Sequence, residues 1–430
     1  MTVIGEQQAA EHIHGICLKT GPPRRVGAEL EWLVRDAHDP ALPVSAERIA
    51  AAVAVFGANP GLPSSSAPGV LPSGALLTTE PGGQLELSSL PADSLADCVR
   101  ATAADLAALR AAAADAGLEL AGVGLDPFRP PRRVLHLPRY AAMEAFFDRS
   151  GPWGRQMMCA TASVQVCLDA GDDSDGHSGY RWRWRLLHAI GPVLVAAFAN
   201  SPLRGGRPTG WLSSRQQVWA HVDPGRTRPP RFNEDPRRVW AAYALDAQVM
   251  CVRDPGSEDW SAPPGLTLRE WVRAGSAAPS RPPTTEDLAY HLSTLFPPVR
   301  PRGHFELRMI DAQPADGWVV PTAVVSALLS DTRAGEAAMA AAARIWDSRV
   351  SDGAISENNG DGEDPWIRAA RLGPADPRIA AASRECFAAA RAALARQATP
   401  DAILAVVDDF IERYVSKDRC PADDLLKGLS

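Results

Sequence analysis

Alternating polar and apolar residues predict four strands, because a strand that is buried on one face repeats with a period of two. The four segments are residues 26–34, 84–88, 160–169 and 304–310. The alanine-rich segment 94–116 has apolar residues at helical spacing, with Ser94 placed to cap its start and Gly117 to end it. The pattern therefore predicts a chain that mixes strands and helices.

The remaining pattern is mostly helical towards the C-terminus. A helix is expected over 181–199, split by Gly191 and Pro192. Further helices are expected near residues 320–330, 335–350, 376–396 and 400–415. Loops are expected over 57–75, 222–236, 253–286 and the acidic run 357–364. We expect a core of residues 1–317 and a helical region of residues 318–430 packed on it as one unit.

Composition places the chain among soluble globular proteins. Its 430 residues are 46% hydrophobic and 22% charged, and the net charge of −7 argues against a protein that coats nucleic acid or an anionic membrane. No run approaches the roughly 18 apolar residues of a membrane span, and Glu6 and Glu11 precede any apolar run, unlike a secretory signal. A cytoplasmic protein is therefore expected. The seven cysteines are scattered without a CxxC pair, which is typical of reduced, packed thiols.

Lysine is nearly absent, and this changes the chemistry that the chain can perform. It occurs only as Lys19, Lys417 and Lys427. A phosphate-binding loop needs a lysine after a glycine run, and a kinase site needs one on a strand, so neither can be built here. If the protein handles ATP, arginines and metal ions must neutralise the phosphates.

Each predicted strand carries its polar residues on one face, because residues i, i+2 and i+4 project to the same side. These residues are Glu29 and Glu31; Gln84 and Glu86; Thr161, Ser163 and Gln165; and Glu306 and Arg308. One strand alone would suit the solvated face of an antiparallel sheet. Four strands with recurring carboxylates and amides favour a ligand-binding face instead. Neighbouring carboxylates repel one another unless cations bind among them, and oxygen ligands without histidine or thiolate clusters indicate Mg²⁺ or Mn²⁺ rather than zinc.

The same strands resemble a known family. The motifs on the strands are VGAELEW at 26–32, EPGGQLELS at 80–88, TASVQVCLD at 161–169 and RGHFELR at 302–308. Five further motifs lie between the last two of these: ANSP at 199–202, SRQQVW at 214–219, DPGRT at 223–227, YALD at 243–246 and HLSTLFP at 291–297. In order and content they resemble the plant-type and actinobacterial glutamate–cysteine ligases, most closely the actinobacterial ligases that supply ergothioneine synthesis. The resemblance covers most of residues 26–311.

The resemblance implies an α+β fold in which a curved antiparallel sheet, like that of glutamine synthetase, carries its ligands on the concave face. Helices would pack on the other face, ahead of a helical C-terminal third. ATP, two or three Mg²⁺ and glutamate would bind the concave face. The implied metal ligands, or their immediate neighbours, are Glu29, Glu31, Glu86, Gln165 and Glu306. The implied residues for phosphates and substrate are Arg215, Arg226, Arg308, Thr161, Ser163 and Gln84, with Arg215 and Arg308 in catalysis.

The implied reaction joins the γ-carboxylate of glutamate to the amine of cysteine through a γ-glutamyl phosphate, with no nucleic-acid or membrane partner. Two alternatives remain open: a carboxylate–amine ligase that uses another amine, and a catalytically silent protein that binds metal and nucleotide. One departure from the family is Cys167, where an asparagine is often found, so the contacts of that asparagine are in doubt. The general base, the residues that recognise cysteine and the oligomeric state are left open.

Overall fold

The computed structural model describes residues 4–57, 68–254, 256–275, 279, 281–346, 350–351, 354–355 and 363–428. The strands are β1 (Val26–Asp36), β2 (Gly69–Val70), β3 (Leu76–Thr79), β4 (Leu85–Ser88), β5 (Leu118–Ala121), β6 (Ser163–Asp169), β7 (Leu203–Arg204), β8 (Arg207–Pro208), β9 (Val299–Pro301), β10 (His304–Asp311), β11 (Val350–Ser351) and β12 (Ala354–Ile355).

The helices of the N-terminal half are α1 (Glu6–Cys17), α2 (Ala46–Val53), α3 (Leu95–Asp115), α4 (Pro138–Asp148), α5 (Trp153–Ala160), α6 (Tyr180–Ala189), α7 (Gly191–Ala197) and α8 (Ser214–Val222). Those that follow are α9 (Pro224–Thr227), α10 (Pro236–Asp246), α11 (Leu268–Ala274), α12 (Thr285–Leu292), α13 (Val319–Ser330), α14 (Thr332–Trp346), α15 (Pro365–Leu372), α16 (Pro377–Arg396), α17 (Asp401–Arg413) and α18 (Pro421–Lys427). None of these described helices is long and apolar enough to cross a membrane.

Eight of the strands form one antiparallel sheet, in the order β2-β3-β4-β1-β6-β10-β9, with β5 paired to the far end of β1. The register places Glu31 of β1 opposite Glu86 of β4, and Glu29 opposite Gln165 of β6. Because side chains directly opposite each other share a face, the polar residues of the predicted strands lie together on one side of the sheet. The antiparallel sheet among helices confirms the predicted α+β class.

The apolar side of the sheet carries the main core. Leu30, Leu87, Val166 and Leu307 are buried there. Helices α3, α7 and α13 contact the sheet strands. This arrangement confirms that helices pack on the face opposite the polar residues, because alternation along each strand separates the two kinds of side chain.

The polar side of the sheet is covered rather than solvated. A separate hydrophobic cluster joins α4, α5 and α8 through residues such as Phe147, Met158 and Val218. Side chains of these three helices line a cavity together with the sheet. The covering helices therefore exclude the interpretation of a solvent-facing sheet surface.

The C-terminal third shares the main core. The ring of Phe198, which follows α7, lies 5.8 Å from that of Phe387 on α16 and 5.1 Å from that of Phe410 on α17, measured between centroids. Leu212 and Ser213 donate backbone hydrogen bonds to the end of α15. The boundary between residues 317 and 318 stays a prediction.

Several sequence predictions are confirmed and others need correction. Ser94 caps α3 by accepting from the backbone N–H of Asp97, and the helix over 181–199 is split into α6 and α7 as expected. The segment 253–286, expected to be irregular, contains α11, whose start carries a capping box of Thr267 and Glu270. The proline-rich segment 222–236 contains the short α9. Residues 58–67 of the first loop and 357–362 of the acidic run lie outside the described residues.

Candidate active site

A cavity of about 510 Å³ lies between the polar face of the sheet and helices α4, α5 and α8. Its lining includes seven of the residues expected at the site: Glu29, Glu31, Gln84, Glu86, Thr161, Arg215 and Arg308. The long separations along the chain between these residues show that the fold gathers the motifs into one place. Ser163, Gln165 and Glu306 lie behind the wall, where they contact residues that line it.

Glu31 is held by two of the predicted residues. Ser163 donates from Oγ to one carboxylate oxygen at 2.9 Å, and Gln165 donates from Nε2 to the other, also at 2.9 Å. Gln165 accepts in turn from Nη1 of Arg308 at 2.5 Å. Ser163 and Gln165 thus orient Glu31, and Gln165 connects this carboxylate to the arginine.

Three half-buried carboxylates of the cavity form no ion pair with the described residues. Burial and the charge of Glu306 raise the pKa of Glu29 to about 7, and burial and the charge of Glu31 raise the pKa of Glu80 to about 7. Burial and the charges of Glu29, Glu80 and Glu31 raise the pKa of Glu86 well above its usual range. A group of acids whose ionisation is opposed in this way favours the binding of a cation.

Glu306 is the opposite case, because three arginines surround its buried carboxylate. Arg300 donates from Nη2 at 2.7 Å, Arg302 lies 3.5 Å away, and Arg308 donates from Nη1. Although burial opposes ionisation, these charges hold the pKa of Glu306 well below its usual range. With both oxygens engaged, Glu306 is disfavoured as a metal ligand and favoured as the counter-ion that gathers the arginines.

Arg215 and Arg308 offer unused donors at the cavity. Arg215 is only 1% exposed, and its Nη2 donates to the carbonyl of Arg308 at 2.8 Å. Its Nε and Nη1, and Nε of Arg308, have no hydrogen-bond partner within the described part of the chain. Buried guanidinium N–H groups without acceptors are unfavourable, so an anionic ligand in the cavity would satisfy them.

Arg226 does not reach the cavity, contrary to the expectation that it binds substrate or phosphate. Its Nε donates to Asp223 at 2.7 Å, Nη1 donates to the carbonyl of Thr294 at 2.8 Å, and Nη2 donates to the carbonyl of Gln248 at 2.5 Å. It is fully buried, with its guanidinium 4.6 Å from the ring centroid of Phe146. Its donors are used to join loops and helices, so this geometry does not support its predicted role, which stays a prediction.

Gln84 and Thr161 act mainly on the protein around the cavity. Nε2 of Gln84 donates to the carbonyls of Met158 and Thr161, and its Oε1 accepts from the N–H of Gly82. These bonds hold the turn before β4 against the end of α5. A Cβ at Gly82 would stand 2.2 Å from the carbonyl oxygen of Cys159, so only glycine permits this approach.

Among the cavity residues that the assignment from sequence did not include are Glu80, Arg139, Tyr140, Arg300 and Arg302. Glu80 stands in a quoted motif, but it precedes the strand and so has no place in the alternation of β4. Arg300 lies opposite Glu306 in the pairing of β9 with β10. Because β9 has only three residues, only that pairing identifies the face of Arg300.

The donor chemistry fits a hard divalent cation, although among the described residues no group of three acidic, histidine or cysteine side chains is preformed as a metal site. The unpaired carboxylates of Glu29 and Glu86 suit Mg²⁺. Cys167 has its Sγ 4.0 Å from a carboxylate oxygen of Glu29, and burial raises the pKa of its thiol well above its usual range. The thiol therefore stays protonated and is a poor ligand beside the carboxylates.

Because the pKa values of Glu29 and Glu80 are raised, we expect the free protein to lose stability as pH rises from about 4.5 to about 7. In this window the folded state holds protons on Glu29 and Glu80 that the unfolded state has released, so raising the pH favours unfolding. Glu306 affects stability only below this window. Because its pKa is lower in the folded state than in the unfolded state, acid pH favours unfolding there. Melting temperatures measured across the window, with and without Mg²⁺, test the prediction.

We expect Mg²⁺ to raise the melting temperature more at about pH 8 than at about pH 5, because only ionised carboxylates attract it. The Glu86→Gln variant is the control, since it removes one of the repelling charges and should reduce both the loss of stability and the gain from Mg²⁺. An equal response of wild type and variant to Mg²⁺ at both pH values would contradict the assignment.

A family model described as glutamate-cysteine ligase family 2 (GCS2) matches residues 25–428. The chain is 38% identical over 421 residues to the glutamate–cysteine ligase EgtA of Mycobacterium tuberculosis, covering 97% of this chain and 88% of that protein. It is 39% identical over 425 residues to EgtA of Mycolicibacterium smegmatis, covering 97% and 90%. The chloroplastic glutamate–cysteine ligase of Medicago truncatula is 32% identical over 246 residues, covering 55% and 47%.

Solved structures of low sequence identity share the fold. The glutamate–cysteine ligase of Francisella tularensis in complex with AMP superposes with a TM-score of 0.53 and 9% identity, covering 95% of this chain and 85% of that one. The bifunctional glutathione synthetase of Pasteurella multocida gives a TM-score of 0.51 and 14% identity, covering 99% and 51%. These similarities agree with the fold expected from the motifs.

Proposed function

The chain belongs to glutamate–cysteine ligase family 2, and from this premise we propose that it joins the γ-carboxylate of glutamate to the amine of cysteine with ATP as co-substrate. The products are γ-glutamylcysteine, ADP and phosphate. The observation that carries the proposal is the convergence, in one cavity, of a carboxylate cluster and an arginine cluster from the strands that bear the family motifs. Supply of the product to ergothioneine synthesis remains a prediction from the resemblance.

The reaction needs both kinds of charge. An oxygen of the glutamate γ-carboxylate attacks the terminal phosphorus of ATP, the bond to the bridging oxygen breaks, and ADP leaves. The cysteine nitrogen then attacks the acyl carbon, phosphate leaves with the electrons of the C–O bond, and a base accepts the amine proton. Negative charge grows on phosphoryl oxygens in the first step, where positioned cations stabilise it most effectively.

We assign the stabilisation of that negative charge to Arg308 and Arg215, since both line the cavity and have N–H groups without a hydrogen-bond partner among the described residues. Arg308 is held by Gln165 and Glu306, which orients its guanidinium before a ligand arrives. Glu29, Glu86 and Glu31 are the residues that would hold Mg²⁺, the number of ions being open. The bound ion would neutralise phosphate charge and polarise the transferred phosphoryl group.

Ligase activity is tested by ADP release measured with glutamate, cysteine and Mg²⁺ all present and with each omitted in turn. The proposal expects ADP release to require both amino acids and mass spectrometry to detect γ-glutamylcysteine. A panel of amines in place of cysteine measures selectivity. Faster turnover with another amine would identify that amine as the substrate instead of cysteine. Tight ATP binding without turnover on any amine would indicate a catalytically silent protein that binds metal and nucleotide.

A further inference from the structure

Asp311 is a buried acid at the end of β10, three residues after Arg308, and has no part in the site described so far. It is 1% exposed, and its carboxylate accepts from the backbone N–H of Asn200 at 2.9 Å, from Oγ of Ser201 at 2.7 Å and from Oγ of Ser213 at 2.9 Å. Nη1 of Arg215 lies 3.8 Å from the same carboxylate. A carboxylate with this many local donors is fixed in one orientation.

The strand that carries Asp311 is irregular next to Arg215. The pairing of β10 with β6 shifts between Leu307 and Ile310, so the carbonyls of Arg308 and Met309 fall at a bulge. Arg215 donates from Nη2 to the first carbonyl at 2.8 Å, and Gln216 donates from Nε2 to the second at 2.9 Å. The first turn of α8 is thereby joined to the bulge that also bears Arg308.

Arg215 is held at its backbone as well as at its guanidinium. Its N–H donates to Oγ of Ser201 at 3.1 Å, and that hydroxyl donates to Asp311. Ser213, which caps α8, also donates its hydroxyl to Asp311. Asp311 therefore anchors the start of α8 through two serines and faces the guanidinium directly.

The side chain of Asp311 is tightly packed against neighbouring backbone. A Cβ at Gly124 would stand 2.5 Å from Cγ of Asp311, so the carboxylate is packed against backbone that only glycine allows. Burial lowers the pKa of Arg215, and the charges of Asp311 and Glu31 oppose that effect, whereas Arg308 adds to it. Asp311 is the one acid within salt-bridge distance of Arg215 among the described residues.

We propose that Asp311 is the positioning residue of Arg215, holding its guanidinium at the cavity wall so that Nε and Nη1 meet an anionic group of the substrate. This inference rests on the proposed function, in which Arg215 binds a carboxylate or a phosphate. Asp311 acts through Arg215 and does not touch the ligand itself.

The test is a double-mutant cycle on kcat/KM, with KM measured separately for glutamate and ATP in wild type, Asp311→Asn, Arg215→Gln and the double variant. We expect Asp311→Asn to lower kcat/KM on the order of 10 to 100-fold through misplacement of the arginine, chiefly by raising KM for the same substrate that Arg215→Gln affects. In the Arg215→Gln background, Asp311→Asn should change kcat/KM by less than about twofold. Equal losses in both backgrounds would overturn the proposal.

Two further variants separate positioning from folding. Asp105 is a matched control, being a buried acid of α3 that accepts from two backbone N–H groups on the other side of the sheet, so Asp105→Asn should lower the melting temperature without changing KM. If Asp311→Asn does not fold, Ser201→Ala removes one donor from Asp311 and one acceptor from Arg215 and should raise the same KM less. An unchanged KM in Ser201→Ala would also overturn the proposal.

The failure of the proposed function gives a different result from the failure of the positioning role. If wild type does not ligate glutamate to cysteine, the function is wrong, and the cycle is repeated on the dissociation constant of ATP. If wild type is active but the two substitutions contribute independently, Asp311 has a structural role alone.

Discussion

Glu86→Gln is expected to lower turnover by a factor on the order of 100 or more, while leaving the free protein at least as stable as wild type. Glu86 is half-buried beside Glu29, Glu80 and Glu31, and burial together with their charges opposes its ionisation. The amide keeps the size of the side chain and can still accept from Thr78, which donates to Glu86 at 3.0 Å. The variant therefore loses a charge that the proposed reaction needs but that does not stabilise the ligand-free fold. Steady-state turnover and the melting temperature of the ligand-free protein measure the two effects.

Glu306→Gln is the matched control, because it makes the same chemical change on the same face of the sheet. Unlike Glu86, however, Glu306 pairs with Arg300, Arg302 and Arg308. Removing its charge leaves the buried Arg300 and the half-buried Arg308 without their partner, so this variant should lose both turnover and melting temperature. Wild-type turnover in Glu86→Gln would remove Glu86 from the metal-binding residues.

Arg308→Lys is the second substitution with a large expected effect. Lysine keeps the positive charge beside Glu306 but lacks the planar fork that can contact Glu306, Gln165 and a ligand together. We expect kcat/KM to fall on the order of 100-fold, with the melting temperature of the free protein nearly unchanged. Kinetics and thermal melting of the purified variant measure these effects.

Arg226→Lys provides the comparison for Arg308→Lys. Arg226 is fully buried, yet its donors bind Asp223, Thr294 and Gln248 away from the cavity. The substitution there should lower the melting temperature and leave kcat/KM of the folded protein close to wild type. Near-normal kinetics in Arg308→Lys would make Arg308 a structural counter-ion of the carboxylates.

The face on which each charged strand residue lies could be predicted from the sequence, because the period of a strand assigns successive side chains to opposite faces. Glu29 and Glu31 were placed together, as were Glu306 and Arg308, and the near absence of lysine assigned phosphate binding to arginine. The register then confirmed that these strands are neighbours. Local pattern was sufficient here, since strand geometry depends on adjacent residues.

Loop residues were less predictable, because their positions depend on contacts distant in the chain. Arg226 stands in a family motif and looked like a ligand, but carbonyls of Thr294 and Gln248 use its donors. Glu80 precedes β4, so the alternation along that strand does not predict where its side chain lies. The turn held by Gln84 nevertheless brings it into the cavity. Motif membership alone did not show which arginines line the cavity.

The sequence by itself determined the polar face of each strand, the choice of arginine over lysine and the resemblance to a ligase family. Only the tertiary structure decided which charges are paired, because pairing depends on distances between residues far apart in the chain. Glu306 and Glu86 show this most clearly: they have the same side chain on the same face, but three arginines surround the first and three carboxylates the second. Their opposite pKa shifts follow from those neighbours.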